Sequence, residues 1–448
     1  MSRLIEDRVG RRARVYGEER AVLVELQLPR DRSDLTARDE RDELVSLSET
    51  AGLQVLRWVV QKRDRPDPAH FIGAGKAEEI GKFVHTLETD VVIFNDELTP
   101  AQARNLEERI GCKIIDRSQL IMDIFAQRAK SKEAQLQVQL AQLEYLLPRL
   151  RGWGAALEQF GGGIGMRGPG ETRLETDRRK VVRNIHRIKK RLNKARIERQ
   201  IQRKRRIKNR IPVVALVGYT NSGKSTLLNR LSGADAFVED KLFATLDTLT
   251  RQVSLPDGRR IVLIDTVGFI RRLPHQLIPA FSATLESIQD ADLVIHVVDV
   301  SHPEWSDHWR TVNRTLNQEI FTDKNPPTLV ALNKIDRLSA EALPARLARA
   351  QAEIEDPVAI SARNGTHLDR LLVKIAELLG DQVCHARFTI PYAQSRLIGT
   401  IHRVGEVSKQ RYEAEAIVVE ATMEKSRLRQ FEGQDGVRIE PLSESANR

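Results

Sequence analysis

Polar and glycine residues with the spacing of a phosphate-binding loop follow an apolar run in the middle of the chain. The run Val213 to Val217 leads into Gly-Tyr-Thr-Asn-Ser-Gly-Lys-Ser, residues 218–225, and an amphipathic segment follows. In that context the loop offers backbone N–H groups to a β-phosphate, Lys224 bridges β- and γ-phosphate oxygens, and the Ser225 hydroxyl is a ligand for Mg²⁺. The pattern predicts a nucleoside triphosphate site with magnesium.

Three further motifs follow, each at the end of an apolar run. The segment Asp265 to Gly268 offers a carboxylate to Mg²⁺ through water and an amide that senses the γ-phosphate. In Asn333-Lys334-Ile335-Asp336, the last carboxylate suits the N1–H and exocyclic amine of guanine, whereas adenine has no such donor pair. A backbone amide of Ser361-Ala362-Arg363 suits guanine O6. The four motifs in this order predict GTP.

Alternating strand and helix patterns position these motifs, and they also occur before them. Residues 21–128 contain the strand-like runs AVLVELQL, LQVLRWVV, DVVIFN and CKIID, with helical patterns at Lys76 to Leu87 and Pro100 to Ile110 between them. This pattern predicts a small α/β domain with a mostly parallel sheet. The run EAEAIVVEATM predicts a strand in a small α+β domain at the C-terminal end.

A helical hairpin is predicted between the two α/β regions. Two apolar seams have the same alternating spacing of four and three residues, and a glycine-rich segment separates them. The seams consist of Leu136, Leu140, Leu143, Leu147 and Leu150, and of Val181, Ile185, Ile188, Leu192 and Ala195. The pattern predicts antiparallel helices with the glycine-rich segment at their tip.

The glycine-rich tip contains a G-x-G-x-x-G pattern at Gly163, Gly165 and Gly168. A dinucleotide fingerprint needs a strand before it and a helix N-terminus after it, and the preceding residues indicate a helix that ends near Pro148. We therefore favour a tip whose backbone approaches RNA closely, with Trp153 and Phe160 available for stacking on bases. A second nucleotide site here remains the alternative.

Charge is concentrated in one segment. The whole chain carries a net charge of +10, whereas residues 178–210 contain 17 Lys or Arg and one acid, Glu198. Such a cationic segment is typical of a nucleic-acid contact, because phosphate contacts release counterions. The two cysteines lack partners at metal-binding spacing, the histidines show no ligand motif, and no apolar run is long enough to span a membrane.

The chain resembles the HflX family of translation-associated GTPases, in the same broad group as Obg. The resemblance rests on GYTNSGKSTL, LFATLD, DTVGFIRRLPHQL and NKID, and on GGIGMRGPGET with ETDRR before the P-loop region. It implies binding to the large ribosomal subunit and, in some members, dissociation of stalled ribosomes. It also implies three domains in order: an N-terminal α/β domain, a helical hairpin and a GTPase domain. We expect boundaries at 1–128, 129–210, 211–382 and, for the C-terminal domain, 383–448.

The resemblance also implies that Thr245 of FATLD is the switch threonine that binds Mg²⁺ and the γ-phosphate. The chain departs from the common pattern directly after this motif, where Thr248 stands in place of a frequent proline and leaves the loop less rigid. We expect catalysis to involve Lys224, Thr245 and Gly268, and Mg²⁺ to be held by Ser225, Thr245 and Asp265. Residues expected to contact the nucleotide are Gly218, Tyr219, Thr220, Asn221, Ser222, Gly223, Lys224, Ser225, Thr226, Phe243, Ala244, Thr245, Leu246, Asp247, Asp265, Thr266, Val267, Gly268, Asn333, Lys334, Ile335, Asp336, Ser361, Ala362 and Arg363.

Hydrolysis is expected to be slow without a partner. Many GTPases orient the attacking water with a glutamine directly after D-x-x-G, and this chain has Phe269 there. Asn221 resembles an asparagine that seats K⁺ in some GTPases, or it caps the loop.

We expect a monomeric GTP hydrolase of the cytoplasm, with peripheral membrane attachment left open, that binds the large ribosomal subunit through its RNA. The alternatives are an ATP-driven RNA remodelling enzyme with a second nucleotide site, and a signalling GTPase on a protein or membrane surface.

Overall fold

The structure, a computed structural model, describes residues 19–29, 34–150, 178–195, 197, 211–233, 242–243, 248–272, 282–321, 325–380, 383–428, 431, 434 and 436–442. Three sheets organise these residues, and each sheet has helices packed on it. The predicted α/β fold class is confirmed. Among the described residues, no helix has both the length and the apolar character that crossing a membrane requires.

The first sheet belongs to the N-terminal domain, which is the part from β1 to α4. Its described strands are all parallel, in the order β2-β1-β3-β4. Helices cover both faces, so the strands are apolar on both sides. The strands are β1 (Glu19–Gln27), β2 (Leu53–Lys62), β3 (Val91–Phe94) and β4 (Lys113–Asp116), and the helices are α1 (Asp34–Thr50), α2 (Ala74–Leu87), α3 (Pro100–Ile110) and α4 (Arg117–Arg128).

Local sequence explains the bounds of these helices. The side chain of Thr99 caps α3 by accepting a hydrogen bond from the Gln102 amide, and Pro100 is its first residue. Gly111 ends α3 with φ at 72°, a conformation that costs glycine little. Residues on alternate sides of β1 then face different helices. Val22 and Val24 pack in the core with α2 and α3, and Leu23 packs in the core with α1 and α4.

The hairpin consists of α5 (Lys132–Arg149) and a second helix, α6, at residues 178–195. The seams predicted from the sequence pack against each other, with a core of Leu140, Leu143, Val181, Ile185 and Ile188. Residues 151–177, which contain the G-x-G-x-x-G pattern, Trp153 and Phe160, lie outside the described residues. The predicted helical hairpin is thus present in its two described helices.

The second sheet belongs to the central domain, from β5 to α11. Its strand order is β10-β9-β8-β5-β7-β6, and the described pairs are parallel except that of β6 with β7. The carboxyl ends of β5, β7, β8 and β9 therefore lie at one edge, where open α/β sheets bind ligands. The strands are β5 (Val213–Val217), β6 (Leu249–Ser254), β7 (Arg260–Asp265), β8 (Leu293–Asp299), β9 (Thr328–Asn333) and β10 (Val358–Ala359), and the helices are α7 (Lys224–Ser232), α8 (Ser282–Gln289), α9 (Trp305–Thr315), α10 (Ala342–Glu353) and α11 (Leu368–Gly380).

The N-terminal domain packs directly on the loops at this edge. Leu44 and Leu47 of α1 belong to the same apolar core cluster as Tyr219 and Phe269 of the central domain. The ring of Phe125 in α4 meets the ring of Phe243 edge to face, with centroids 4.7 Å apart. The core of the N-terminal domain is therefore continuous with the apolar side of the predicted nucleotide loops.

The C-terminal domain, from β11 to β14, has a separate core that includes Phe388 and Phe431. Its described strands are antiparallel in the order β12-β13-β11-β14, which is a ferredoxin-like arrangement of two split β-α-β units. The predicted strand EAEAIVVEATM corresponds to β13. The elements are β11 (Val383–Pro391), α12 (Arg396–Val404), β12 (Gly405–Tyr412), β13 (Ala416–Glu424), α13 (Lys425–Leu428) and β14 (Arg438–Pro441).

Candidate functional site

The loop between β5 and α7 is wound tightly against the ends of the neighbouring strands. Gly218 has φ at 153°, and a Cβ atom on it would lie 2.2 Å from the Val297 carbonyl oxygen. Gly223 has φ at 96°, and its Cβ would lie 2.3 Å from Nδ2 of Asn333. No other residue fits either position without moving a strand end or the asparagine. The two glycines therefore place the loop at the strand edge of the central sheet.

Lys224 is the first residue of α7, directly after this loop, and its side chain is buried. Its Nζ donates hydrogen bonds to the carbonyl oxygens of Gly218, at 3.1 Å, and Tyr219, at 2.8 Å. Burial lowers the pKa of Lys224 to about 8, although the nearby charge of Asp265 raises it. The ammonium group is thus held across the loop, at the position from which it can meet phosphate oxygens.

The residues predicted to hold Mg²⁺ are adjacent where the structure describes them. The Ser225 hydroxyl donates to Oδ2 of Asp265 at 2.6 Å. Both groups are hard oxygen donors, which fit magnesium. The third predicted ligand, Thr245, lies outside the described residues, as do Ala244, Leu246 and Asp247. Phe243 is described, and its side chain is buried in the core shared with α4.

The motifs predicted to recognise guanine are joined by Asn333. Its Nδ2 donates to the Ser222 carbonyl oxygen at 2.8 Å, and its Oδ1 accepts from the Ala362 amide at 2.9 Å. Next to it, the Ser361 hydroxyl donates to Oδ1 of Asp336 at 2.5 Å. One side chain thus connects the P-loop to the loop after β10, and a serine orients the carboxylate expected to read the base.

Lys334 and Arg363 complete the base side of the site. Lys334 has φ at 67° and pairs with Asp299 of β8, with Nζ and Oδ2 at 2.8 Å. The side chain of Ile335 is buried, whereas Arg363 is exposed. The strand ends therefore bring together all the predicted base-side residues.

The segment after Asp265 lies along the P-loop. The Thr220 amide donates to the Phe269 carbonyl oxygen at 2.8 Å, and the Phe269 amide donates to the Gly218 carbonyl oxygen at 3.1 Å. A Cβ atom on Gly268 would lie 2.8 Å from Cα of Thr220, so glycine is required for this close approach. The Phe269 side chain is buried in the core shared with the N-terminal domain. It therefore has no means of orienting water in this arrangement.

Two buried hydroxyl oxygens of the P-loop have no hydrogen-bond partner among the described residues. They are Oγ1 of Thr220 and Oγ of Ser222. Buried polar groups are almost always satisfied in folded proteins, so each orphan hydroxyl needs a partner from solvent or a ligand. A loop that presents such groups next to a buried lysine is suited to an oxyanion ligand.

Sequence reasoning missed one set of residues beside the P-loop. Asp39 and Glu43 of α1 reach the central domain and meet Tyr219, Arg271 and the histidines His302 and His308. All of these residues except Arg271 line a cavity of about 200 Å³ between α1, the P-loop and α9. The only sequence signals are the helical spacing of Asp39 and Glu43 and the position of Arg271 just after the D-x-x-G motif. Neither signal identifies a partner.

Comparisons with known proteins cover most of the chain. Family models described as GTP-binding GTPase N-terminal, GTP-binding GTPase Middle Region and 50S ribosome-binding GTPase match residues 38–126, 128–206 and 213–334. A protein named GTPase HflX from Caldanaerobacter subterraneus subsp. tengcongensis is 46% identical over 418 residues, which cover 92% of this chain and 94% of the relative. GTPase HflX from Escherichia coli K12 is 41% identical over 401 residues, with 89% and 92% covered.

A crystal structure of a GTP-binding protein from Sulfolobus solfataricus in complex with GDP is 26% identical, with a TM-score of 0.43. The alignment covers 81% of this chain and 98% of that one.

Proposed function

Because the chain belongs to the HflX family of GTPases and is a GTP hydrolase, we propose that it binds the large ribosomal subunit in its GTP form and leaves after hydrolysis. In this proposal the bound protein splits or rescues stalled ribosomes. The family model over residues 213–334, described as a 50S ribosome-binding GTPase, supports a ribosomal partner.

The observation that carries the proposal is the exposed basic face of α6. Its apolar seam packs on α5, so the remaining side chains point outward, and Arg183, Arg187, Lys190 and Lys194 are all exposed. A face of this kind suits the phosphates of RNA, because each neutralised phosphate releases counterions. The rest of the cationic segment, which is Arg196 and residues 198–210, lies outside the described residues.

The hairpin is connected to the nucleotide loops through the N-terminal domain. Tyr145 of α5 lies in the same core cluster as Phe125 of α4, and Phe125 meets Phe243. Arg149 of α5 also pairs with Asp116 at the end of β4, at 3.3 Å. This connection supports a mechanism in which nucleotide state and RNA contact influence each other.

In the proposed site, Lys224 binds the β- and γ-phosphates, and Asp336 binds guanine. Mg²⁺ would be held by Ser225, Asp265 and Thr245, and would neutralise charge on the phosphates. The Gly268 amide contacts the γ-phosphate.

Asn221, with φ at 57°, stands in the P-loop where its side chain would seat K⁺. Replacement of K⁺ by Na⁺ at constant ionic strength should then slow GTP turnover, and an unchanged rate would remove potassium from the mechanism.

Slow intrinsic turnover follows from the burial of Phe269. Without a side chain to orient water, stabilisation supplied in trans is expected to speed hydrolysis, and such stabilisation is worth about 10³–10⁵ in known GTPases. We expect large subunits to raise GTP turnover by about tenfold or more. Turnover that stays the same across a titration of subunits would contradict this part of the proposal.

Sucrose-gradient sedimentation tests the ribosome contact. The protein is mixed with whole ribosomes or isolated subunits and with GTP, GDP or a non-hydrolysable GTP analogue. We expect the protein to migrate with the large subunit when the non-hydrolysable GTP analogue is present. When GDP is present, we expect it to migrate separately from the subunit. The proposal fails if no nucleotide state gives co-migration.

A charge-reversed variant tests whether α6 makes the contact. The substitutions Arg187→Glu, Lys190→Glu and Lys194→Glu should abolish co-migration, with GDP affinity unchanged. The matched control reverses three exposed charges of the C-terminal domain, Arg396, Lys409 and Arg411. Equal binding by both variants would assign the contact to another surface.

The affinity of the wild-type protein for the large subunit should also fall by about 10³-fold or more between about 50 and 200 mM salt if six to ten phosphates are contacted.

A further inference from the structure

A buried polar cluster joins α1 of the N-terminal domain to the P-loop and to the segment after Gly268, the two loops that enclose the γ-phosphate in the proposed site. Its members are Asp39 and Glu43 from α1, Tyr219 from the P-loop, Arg271 from the segment after Gly268, and His308 from α9. Asp39 and Arg271 are 9% and 8% exposed, so water screens their charges weakly. We call this group the α1 cluster.

The Tyr219 hydroxyl makes two of the hydrogen bonds in the α1 cluster. It donates a hydrogen bond to the Glu43 carboxylate and accepts one from the Arg271 amide at 3.0 Å. The Tyr219 ring stacks on His308, with centroids 3.8 Å apart and planes at 3°. Burial, together with the charge of Glu43, raises the pKa of Tyr219 well above its ordinary value, so the hydroxyl keeps its proton. One hydroxyl thus ties α1 to the backbone three residues after Gly268.

Arg271 is held at its side chain and at both backbone groups. Its Nη1 lies 2.6 Å from Oδ2 of Asp39, and its Nη2 lies 2.7 Å from Oδ2 of Asp307 in α9. Its carbonyl oxygen accepts a hydrogen bond from Nη2 of Arg117 at 3.3 Å, and the same Arg117 pairs with Glu43. Little freedom remains for the chain at this position.

Asp39 is the charged centre of the cluster. Burial opposes its ionisation, but hydrogen bonds from His302 and His308 and the charge of Arg271 outweigh burial and hold the pKa of Asp39 well below its ordinary range. The carboxylate is therefore ionised whenever the protein is folded near neutral pH. It provides a fixed anchor for the Arg271 guanidinium.

The geometry favours a hydrogen-bonded cluster over a metal site, although Asp39, His302 and His308 lie close enough to hold an ion. Nδ1 of His302 accepts a hydrogen bond from the Glu304 amide at 3.2 Å, so the ring proton is on Nε2, which points at Asp39. A histidine that binds metal through Nε2 would instead donate from Nδ1. Arg271 also occupies Oδ2 of Asp39.

From these contacts we propose that Tyr219 and Arg271 are positioning residues for GTP hydrolysis, through which α1 fixes the Gly268–Phe269 segment against the P-loop. Neither side chain touches the nucleotide in this assignment. The segment already bonds to Gly218 and Thr220 through Phe269, and the α1 cluster holds its far end. The proposal rests on the proposed contact of the Gly268 amide with the γ-phosphate. Misplacing such a group by about 1 Å can cost about 10²-fold in rate.

Intrinsic GTP turnover and GDP affinity, measured without ribosomes, test the proposal. Tyr219→Phe removes one hydroxyl and keeps the ring on His308, and Arg271→Gln removes the guanidinium. We expect each change to lower kcat by about tenfold, with GDP affinity within about twofold of wild type. Because both residues hold the same segment, the double variant should lose less than the product of the two single losses.

The chain offers a matched control in the adjacent arginine. Arg272 contacts Glu40 and Asp96 of the N-terminal domain, but it is 36% exposed and neither of these partners belongs to the α1 cluster. Arg272→Gln should therefore keep the wild-type kcat. Glu43→Gln, which keeps an acceptor for the Tyr219 hydroxyl, should retain more activity than Glu43→Ala. Thermal melting of each variant separates this loss from unfolding.

Several outcomes would overturn the proposal. They are an unchanged or increased kcat in both Tyr219→Phe and Arg271→Gln, an equal loss in Arg272→Gln, or a loss of GDP affinity as large as the loss of kcat. These readouts use no ribosomes, so they leave the ribosome contact untouched. A failure of co-sedimentation would conversely leave the positioning role intact.

Discussion

At the residue scale, Asp336 provides the sharpest test of the proposed base site. Its carboxylate accepts a hydrogen bond from the hydroxyl of Ser361 in the loop after β10, and this bond orients the carboxylate. Asp336→Asn replaces one acceptor with an amide donor, which no longer suits the N1–H and amine of guanine but suits the oxygen that xanthine has in place of that amine. We expect GDP affinity to fall by about 10²-fold and xanthosine diphosphate affinity to rise.

Fluorescence titration with both nucleotides measures this change. Asp369→Asn in α11 is the control, because it makes the same substitution at an exposed position in the same domain. If Asp336→Asn lost affinity for both nucleotides alike, Asp336 would support the loop and would not select the base.

His296 gives the chain a predictable sensitivity to acid. It lies in β8, and burial lowers its pKa to about 3, with the nearby charge of Lys224 acting in the same direction. The unfolded chain takes up this proton below about pH 6.5, whereas the folded chain stays neutral until about pH 3. Stability is therefore lost as pH falls through that window.

The variant His296→Gln has no imidazole at this position, so its unfolding is not accompanied by proton uptake there. Between about pH 7 and pH 4.5, the unfolding free energy of the wild type should fall by roughly 2–3 kcal/mol more than that of the variant. Urea unfolding of both proteins at each pH measures the difference. Parallel pH profiles would mean that His296 is protonated in the folded state at about pH 4.5.

The residues that sequence predicted and the residues it missed differ in a physical way. Lys224, Asp336 and Asn333 lie in motifs whose spacing encodes the geometry, because each motif forms one local turn at a strand end. Asp39 and Arg271 are 232 positions apart along the chain and lie in different domains. Their pairing depends on how α1 packs on the central domain, and no local pattern contains that information. The same holds for His302 and His308, to which the sequence assigned no chemistry.

At the element scale, the strand ends and tight turns determine the site more than the helices do. Gly218→Ala would place a methyl carbon 2.2 Å from the Val297 carbonyl oxygen and push β5 away from β8. We expect a loss of about 3 kcal/mol or more in stability of the central domain, with loss of GDP binding. Gly233→Ala is the control, because it also has positive φ but no atom within 4 Å of the new Cβ.

The control should cost only about 1–2 kcal/mol, the strain of a left-handed alanine. Thermal unfolding and GDP titration of both variants measure the difference. Similar losses in the two proteins would show that backbone strain, and not the contact with β8, explains the requirement for glycine at 218.

Element predictions from the sequence succeeded where the pattern was local. The apolar runs predicted β1 to β4, and the helical patterns predicted α3 and most of α2. The order β2-β1-β3-β4 and the antiparallel pairing of β6 with β7 were not readable, because strand order depends on crossovers that composition does not encode. The boundaries at 128, 210 and 382 remain predictions.

At the scale of the whole molecule, one continuous core determines which parts respond to nucleotide. The cluster that contains Leu47 and Phe125 also contains Tyr219 and Phe269, whereas the C-terminal domain packs around its own core. A ligand that binds only the folded central domain stabilises it by about 2.7 kcal/mol at about 100 times its Kd. That stabilisation should extend to α1 and α4, which share the core.

Hydrogen exchange followed by mass spectrometry tests this extension. Saturating GDP should slow exchange of amides in α1 and α4 by up to about 100-fold for openings that expose the shared core, and should leave β11 and β13 unchanged. Phe125→Leu removes the ring contact with Phe243 and should reduce the protection in α4 more than that in α7. If GDP protected only the central domain, opening of α1 and α4 would leave the nucleotide loops undisturbed. The contacts of α1 would then not hold the segment at Arg271 in place.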